Sequence, residues 1–179
     1  MSEQAPIPQT PSLEERIARL EDIQAIGQLR ARYCQALDDG HWDALADTFT
    51  ADGAFVGLST ARGREEMLEF FPKLNSTTVT SWWHFSSNET VDLNGDSATG
   101  TTWLLQPCVV EGESQLAAGR YDDTMVRTAE GWRFTERKVS FFFWSSLEAG
   151  WDAARFSFPP ATGAADARTM ERVENAQSV

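Results

Sequence analysis

One of the two histidines in the chain lies in an aromatic stretch. His84 follows Trp82 and Trp83 and precedes Phe85, at the predicted start of a strand. Imidazole titrates close to neutral pH, so His84 is the side chain best suited to proton transfer under those conditions. A packed core histidine explains the same pattern, and taken alone the local sequence favours that interpretation. The chemistry to be tested is proton abstraction by His84 in an apolar pocket.

Such a base needs a carboxylate to orient it. A carboxylate that holds one imidazole nitrogen fixes the tautomer and stabilises the imidazolium formed when the other nitrogen takes a proton. Asp38 and Asp39, at the end of the first predicted helix, are the candidates. Aspartate at a helix end often only turns the chain. The residues themselves do not choose between the two.

Two further polar side chains can assist a base. Tyr33 lies on the apolar stripe of the first helix and can present its phenol to a substrate oxygen. Tyr33 and Asp38 are about 140° apart around a helix, so both reach one pocket only if the helix end is distorted. Arg137 lies in a predicted strand where exposure is its default, although an inward guanidinium would stabilise developing negative charge. His41 is expected to be exposed.

The predicted helices that position these residues come early in the chain. Ser12 can cap the first one, with Glu15 completing a capping box. Apolar residues then recur every three or four positions, which predicts a helix over 12–39 that ends near Gly40. A short strand at 54–58 is predicted between two shorter helices, at 42–49 and 63–74.

Strands follow in the second half. Residues 75–81 are polar and predict a loop, and Asn94-Gly95 is a strong hairpin signal. Helices followed by strands predict an α+β fold, with a curved antiparallel meander wrapped against the long helix and a pocket at its open end. The predicted strands are 82–93, 97–110, 115–127 and 132–144.

Composition limits the possible partners. The 179 residues predict one domain, and seven Trp and eleven Phe indicate a core or an apolar pocket built on rings. The net charge of −12 argues against nucleic acid and anionic membrane surfaces as partners. Residues 1–11 are predicted to be a flexible arm without a signal core, and two distant cysteines fit a reducing compartment. A cytoplasmic protein with no membrane helix is expected.

The sequence lacks the motifs that are typical of several classes of nucleotide-binding, metal-binding and nucleophilic sites. There is no Walker loop, no GxGxxG after a strand, no GxSxG elbow and no HExxH. Two histidines without carboxylates at ligand spacing do not indicate a metal centre. A site without metal or other cofactor is therefore expected.

An ordered set of short motifs resembles the SnoaL-like branch of the nuclear-transport-factor-2-like superfamily. The likeness covers roughly residues 12–144, and it implies a cone-shaped α+β barrel with a curved, mixed or antiparallel sheet around the N-terminal helix. Residues 145–179 form an extension expected to pack partly on the domain or on a neighbouring subunit. The motifs are Tyr33-x-x-x-x-Asp38, Gly40-x-Trp42-Asp43, Phe49-x-x-Asp52-x-x-Phe55, Gly63-Arg64-Glu65, His84, Asn94-Gly95-Asp96, Gly119-Arg120-Tyr121-Asp122-Asp123 and Gly131-Trp132-Arg133.

Within the superfamily the chain is most similar to the scytalone dehydratase-like group, which includes bile-acid 7α-dehydratase and hexachlorocyclohexane dehydrochlorinase. The working pair of that group matches Asp38 and His84. Tyr33 matches a position that holds Tyr in the dehydratases and Lys in the dehydrochlorinase, and Arg137 matches the arginine of the latter. By alignment and strand alternation, the positions expected to bind substrate are Phe55, Trp82, Leu104, Gln106, Tyr121 and Phe142.

The resemblance implies a cofactor-independent lyase. Its reaction would be a dehydratase-like elimination on an apolar cyclic molecule, with the His-Asp pair as general base. Other functions of the fold stay open: an isomerase or cyclase in which the carboxylate is the base, or a non-catalytic ligand-binding protein or small subunit of an oxygenase. A homo-oligomer is also implied, as a trimer by family likeness or else a dimer. The aromatic run 141–144 and the extension depart from the family, which leaves the substrate open.

Overall fold

The computed structural model describes residues 11–149. Nearly all of the expected arm at 1–11, and the expected extension beyond residue 149, lie outside the described residues. Within the described range the chain forms three helices and seven strands. The helices are α1 (Leu13–Asp38), α2 (Trp42–Ala46) and α3 (Gly63–Thr77), and the strands are β1 (Phe49–Val56), β2 (Thr60–Arg62), β3 (Val79–Trp82), β4 (Phe85–Asn94), β5 (Ser97–Val110), β6 (Glu113–Thr128) and β7 (Gly131–Ser146).

The strands form one curved, mixed sheet. Its order is β2-β1-β7-β6-β5-β3, and β4 also pairs with β5. β1 runs parallel to β7, and the other pairs are antiparallel. β3 and β4 occupy successive parts of the same edge of β5. The predicted cone-shaped α+β fold, with the sheet wrapped against α1, is confirmed.

The two ends of α1 are fixed by local hydrogen bonds. Ser12 and Glu15 form the predicted capping box, with reciprocal bonds of 3.1 and 2.6 Å. At the other end the backbone N–H groups of Gly40 and His41 donate to carbonyl groups of the last turn at 3.4 and 2.8 Å, and Gly40 has φ 69°. This is the Schellman arrangement that glycine favours. It leaves Asp38 as the last helical residue, beside the sheet.

Only the second half of α1 packs against the sheet. From Ile26 onward its large apolar side chains are buried, whereas Leu13, Ile17 and Leu20 are 47–67% exposed. The apolar periodicity that predicts the helix runs along its whole length, but the first turns are not buried. The periodicity shows which face of a helix is apolar but does not show how far the opposing sheet extends.

Some predicted boundaries are wrong. α2 ends at Ala46, because the chain from Phe49 already pairs as β1, and α3 continues to Thr77. The polar segment at 75–81 is not a loop, since Val79–Trp82 pairs with β5. The three residues of β2, which pair with β1, were not predicted. In each case a pairing partner distant in sequence determines the conformation, and local composition does not reveal it.

Two β-bulges in β7 decide which of its side chains face inward. Register with β6 shifts next to Phe134 and again next to Phe141. The first bulge puts Phe134 and Arg137 on the same inward face, so Arg137 is fully buried and the expected exposure is wrong. The second keeps Phe141 inward and turns Phe142 to the outer face, where its ring lies 5.8 Å from that of Trp103. A bulge adds one unpaired residue, which strict strand alternation cannot anticipate.

A buried ionic cluster ties α1 to the sheet. Arg30 Nε donates to Asp123 Oδ2 at 2.9 Å, and Asp123 Oδ1 lies 3.6 Å from Arg137 Nε. Arg30 also donates to Glu89 at 3.1 Å and to the Thr90 carbonyl at 3.2 Å. Burial raises the pKa of the Asp123 carboxyl, and the guanidinium groups of Arg137 and Arg30 oppose that rise. Asp123 is thus the one described anion that contacts both buried arginines.

Replacing Asp123 should cost much of the stability of the fold. In Asp123→Asn the two arginines lose a shared buried anion, and breaking a buried pair costs about 3–5 kcal/mol. Asp96→Asn is the matched control, because Asp96 pairs with Arg127 at the surface and is 82% exposed. That change should alter stability by roughly 0–1 kcal/mol. Urea unfolding measures both variants, and equal small losses would contradict the structural role of Asp123.

Candidate active site

A cavity lies between the C-terminal half of α1, α3 and the inner face of the sheet. It contains about 430 Å³ of empty space, part of which opens to solvent. Its wall is mainly aromatic and aliphatic, and the polar side chains in it are few. Pockets with a predominantly apolar lining and a few placed polar groups are typical of small-molecule sites.

Asp38 holds His84 at two points on the wall of this cavity. Asp38 Oδ1 lies 2.5 Å from His84 Nδ1, and Asp38 Oδ2 accepts a hydrogen bond from the His84 backbone N–H at 3.0 Å. The His84 side chain is 4% exposed and lines the cavity. Nε2 is therefore the ring nitrogen available to a ligand. Asp39 is exposed, and its backbone only caps α1, so the structure pairs Asp38 with the histidine.

His84 lies in a two-residue break between β3 and β4. The predicted strand across residues 82–93 is therefore interrupted, and His84 does not belong to a regular strand. On either side of the break Trp82 pairs with Cys108 and Phe85 pairs with Leu105, so the register continues unchanged. The break leaves the His84 backbone N–H available to donate to Asp38.

Trp82 attaches the break to the end of α1. Its indole Nε1–H donates to the Leu37 carbonyl at 3.1 Å. Its ring stands edge-on to that of His84, with centroids 5.8 Å apart. The end of the helix thus contacts the sheet at two points: the Leu37 carbonyl accepts from Trp82, and the Asp38 carboxylate contacts His84. Together these contacts hold the imidazole ring in place.

Tyr33 reaches the cavity without distortion of α1. The helix is regular through Asp38, and Tyr33 lines the cavity while Asp38 acts on it only through His84. Within residues 11–149 the buried Tyr33 hydroxyl has no hydrogen-bond partner. Burial raises the pKa of Tyr33 far above its ordinary value, and the positive charge of Arg137 opposes this only in part. Tyr33 therefore stays a neutral phenol near neutral pH.

Arg137 lies behind the tyrosine rings and not in the cavity wall. Its Cζ is 3.9 Å from the ring centroid of Tyr121, 4.4 Å from that of Tyr33 and 4.7 Å from that of Phe134. No side-chain nitrogen of Arg137 has a hydrogen-bond partner in the part of the chain that the structure describes. Its charge is balanced by the aromatic faces and by Asp123. Arg137 can therefore influence the cavity only through the tyrosines.

Four of the six positions expected to bind substrate line the cavity, namely Phe55, Trp82, Gln106 and Tyr121. Leu104 is buried in the core beside the cavity without lining it, and Phe142 lies on the outer face because of the bulge. Phe141 lines the cavity in its place. The lining residues that the sequence did not single out are Leu37, Leu58, Phe71, Leu74, Val79, Val139, Phe141 and Trp144.

The cavity-lining residues that the sequence did not predict have the same pattern as ordinary core residues. Phe71 and Leu74 belong to the apolar face of α3, and Val139 and Trp144 lie in β7. Apolar side chains on these elements are expected to be buried whether they face a cavity or a neighbouring ring. Which of them border empty space depends on how α3 and β7 pack together, and the amphipathic pattern does not contain that information.

The described residues offer little for other chemistries. No three side chains of the His, Cys, Asp and Glu types lie close enough together there to hold a metal ion. Cys34 and Cys108 are buried free thiols, and burial raises the pKa of both, that of Cys108 to about 11. Neither is a thiolate near neutral pH. His41 is exposed, and no helix within residues 11–149 is both long and apolar enough to cross a bilayer.

Similar proteins come from several bacteria. The uncharacterized protein Rv2910c of Mycobacterium tuberculosis is 30% identical over 126 residues, which cover 68% of this chain and 86% of that protein. A protein of Novosphingobium aromaticivorans, provisionally named an aromatic ring hydroxylase, is 28% identical with a TM-score of 0.66, covering 73% of this chain and 96% of that one.

An enzyme of known name shares the fold. The hexachlorocyclohexane dehydrochlorinase of Novosphingobium barchaimii LL02 has a TM-score of 0.69 at 19% identity, covering 81% of this chain and 99% of that one. The family model for the SnoaL-like domain matches residues 18–138, which include α1 from its second turn, His84 and Arg137. The chain belongs to the SnoaL-like domain family.

Proposed function

We propose that this protein is a cofactor-independent lyase that eliminates a small leaving group from an apolar cyclic substrate. One observation carries the proposal: the Asp38 carboxylate holds both Nδ1 and the backbone N–H of a histidine that faces an apolar cavity. If Asp38 only ended the helix, or if His84 were only a packed core residue, Nε2 of His84 would not be expected to face a cavity. The arrangement matches that of a general base with its orienting carboxylate.

The elimination step uses His84 as the base. Nε2 takes a proton from a substrate carbon, and the electron pair of the broken C–H bond forms a C=C bond. The leaving group departs from the adjacent carbon with its own bonding electrons. Asp38 balances the charge of the imidazolium, and general acid–base assistance of this kind gives roughly 10²–10⁴-fold acceleration.

Tyr33 serves as a hydrogen-bond donor to the leaving group. Its phenol stays protonated because of burial, so its O–H can donate a hydrogen bond to a departing hydroxide or halide. Arg137 touches no cavity surface, and we assign it a positioning role: its cation lies against the rings of Tyr33 and Tyr121 and stabilises negative charge that develops in front of them. An aromatic and aliphatic lining suits an apolar ring, the substrate type proposed here.

The names of the relatives support more than one reaction and do not identify the reaction of this protein. A dehydrochlorinase with the same fold catalyses an elimination, as its name states. The relative named for aromatic ring hydroxylation keeps a non-catalytic or oxygenase-associated role as a second candidate. An isomerase or cyclase would use the carboxylate as the base and would form its product without a leaving group. Loss of water or halide, seen as a change in substrate mass, separates the lyase from both alternatives. A homo-oligomer, as a trimer or a dimer, remains part of the proposal.

The pair of Asp38 and His84 should be essential for elimination. In His84→Ala the base is missing, and in Asp38→Asn the carboxylate that balances the imidazolium is lost. Turnover should fall by roughly 10²–10⁴-fold in His84→Ala. His41→Ala is the control because His41 is exposed and lies outside the cavity lining. Mass spectrometry of a panel of cyclic alcohols and chlorinated rings measures product formation. Unchanged turnover in His84→Ala would remove His84 from the mechanism.

Alkaline titration should detect the buried phenols. Tyr33 and Tyr121 are the only tyrosines in the chain, and burial raises the pKa of both. A raised pKa in the folded state favours the neutral form. Its contribution to stability is complete below the unfolded value of about 10 and is lost as the pH rises above that value toward the folded pKa. The folded protein should show no tyrosinate absorbance until it unfolds. Ionisation of either phenol near its ordinary pKa, with the fold intact by circular dichroism, would contradict this burial.

A further inference from the structure

The apolar side chains in the first turns of α1 face away from the domain. Leu13, Ile17 and Leu20 are 67, 47 and 65% exposed. A helix turns by about 100° per residue, so residues nine positions apart lie on opposite sides of it. Ile26 and Leu29, nine positions after Ile17 and Leu20, are completely buried in the core. The exposed side chains therefore form a separate stripe on the solvent side of α1.

Polar contacts give the same orientation at the start of the helix. Asp22 lies nine positions after Leu13 and faces the sheet. Its carboxylate accepts hydrogen bonds from Arg127 Nη2 at 2.6 Å and from Trp132 Nε1 at 3.2 Å. The first half of α1 is thus held to the sheet by polar contacts, and its apolar stripe is available to a partner.

The spacing of the stripe is that of a coiled coil. Leu13, Ile17 and Leu20 recur at intervals of four and three residues, which assigns both leucines to d positions and Ile17 to the a position of a heptad. Leucine at d with a β-branched residue at a favours a parallel, two-stranded coil. Gln24 is exposed at the next a position, where a polar side chain specifies the register of the two helices.

The flanks of the stripe carry complementary charges. Arg16 occupies a g position and Glu21 an e position, and neither forms an ion pair within residues 11–149. In a parallel pair each g residue faces the e residue five positions later on the other helix, so Arg16 meets Glu21 of the second copy on both flanks. An antiparallel pair would instead bring Glu14 beside Glu21 of the second copy. The charges therefore favour two identical chains in parallel.

We propose that the solvent side of α1 between Leu13 and Gln24 binds a second copy of this chain as a short, parallel, two-stranded coiled coil. The two domains then lie on opposite sides of the helix pair, because each stripe faces away from its own core. About three turns of helix per copy make a small interface, which is typical of a weak, reversible dimer. The proposal does not depend on lyase activity, and of the two homo-oligomers proposed above it selects the dimer.

A charge within the stripe should separate the two copies. Ile17→Glu places a carboxylate at the centre of the contact and should weaken the dimer by at least roughly 30-fold, as at other central interface positions. Leu105→Glu is the matched control, because Leu105 is also exposed, at 43%, but lies in β5 on the outer face of the sheet. Sedimentation velocity at several concentrations measures the dissociation constant, and circular dichroism verifies the fold. Leu20→Glu provides the same comparison if Ile17→Glu does not fold.

Exchange of the flanking charges tests the parallel arrangement. Arg16→Glu alone and Glu21→Arg alone each replace two attractive contacts by two repulsive ones, and each should weaken the dimer by roughly 3–30-fold. An equimolar mixture of the two variants should dimerise again, because opposite charges meet on both flanks of the mixed pair. A chain that carries both changes should dimerise like the wild type.

A cysteine at position 24 tests the register. In the parallel pair the two a positions lie side by side, so Gln24→Cys should form a disulfide between the copies under mild oxidation. Cys34 and Cys108 are buried, so the wild-type chain should not be cross-linked by the same treatment. Electrophoresis without reducing agent distinguishes the two.

Each outcome supports or overturns the proposal. A wild-type chain that is monomeric up to about 1 mM, where even a weak dimer is populated, overturns it. A trimer or larger assembly, a dimer that survives in Ile17→Glu and a dimer that Leu105→Glu abolishes also overturn it. Charge variants that do not pair with each other, or a Gln24→Cys chain that does not cross-link, contradict the parallel arrangement. A dimer lost in Ile17→Glu, kept in Leu105→Glu and restored in the mixture supports it.

Discussion

The contact between α1 and the sheet on which the site depends is the buried pair of Arg30 and Asp123. It fixes the helix against β6 in the core, at 2.9 Å and with both side chains almost fully buried. Asp38 follows Arg30 by eight residues, or about 12 Å of helix at 1.5 Å per residue. The pair therefore determines where the helix end arrives at the sheet. The Trp82 indole and the His84 imidazole then join that end at the break between β3 and β4.

The same cluster links the core to the electrostatics of the cavity. Asp123 contacts Arg137 as well as Arg30, and Arg137 in turn lies against the rings of Tyr33 and Tyr121. A buried guanidinium without hydrogen bonds in the described chain is costly for folding. The cation places a fixed positive charge behind a neutral, apolar wall. Local destabilisation of this kind is common in functional regions of proteins.

Features set by local sequence were predictable, and features set by distant pairing were not. The capping box at Ser12, the helix end at Gly40 and the hairpin at Asn94-Gly95 depend on neighbouring residues, and all three are present. The burial of Arg137 and the outward turn of Phe142 depend on bulges against β6, which the alternation of β7 alone does not encode. The break that holds His84 depends likewise on its pairing with β5.

The pairing of Asp38 with His84 shows the same division. From the residues alone Asp38 and Asp39 were equivalent, and only the ordered likeness to a family distinguished them. The structure supplies the physical reason: Asp39 is the C-terminal cap and faces solvent, whereas Asp38, one residue earlier, faces the break in the sheet edge. A one-residue change in helix length would rotate the carboxylate by about 100° and separate it from the imidazole. The glycine termination at Gly40 is therefore part of the site, although it lies outside the cavity.

The proposed base and the carboxamide of Gln106 lie on different segments of the sheet. Both carboxylate oxygens of Asp38 are engaged with His84, so the protein itself orients the imidazole before any ligand binds. The Gln106 side chain has no such hydrogen bond within the described chain and belongs to the neighbouring strand, β5. Because Gln106 is not bonded to Asp38 or His84, a change at Gln106 can alter the cavity wall while Asp38 and His84 keep their geometry. Relatives with the same fold carry different names, because the fold fixes where the cavity lies and the side chains that line it decide what binds there.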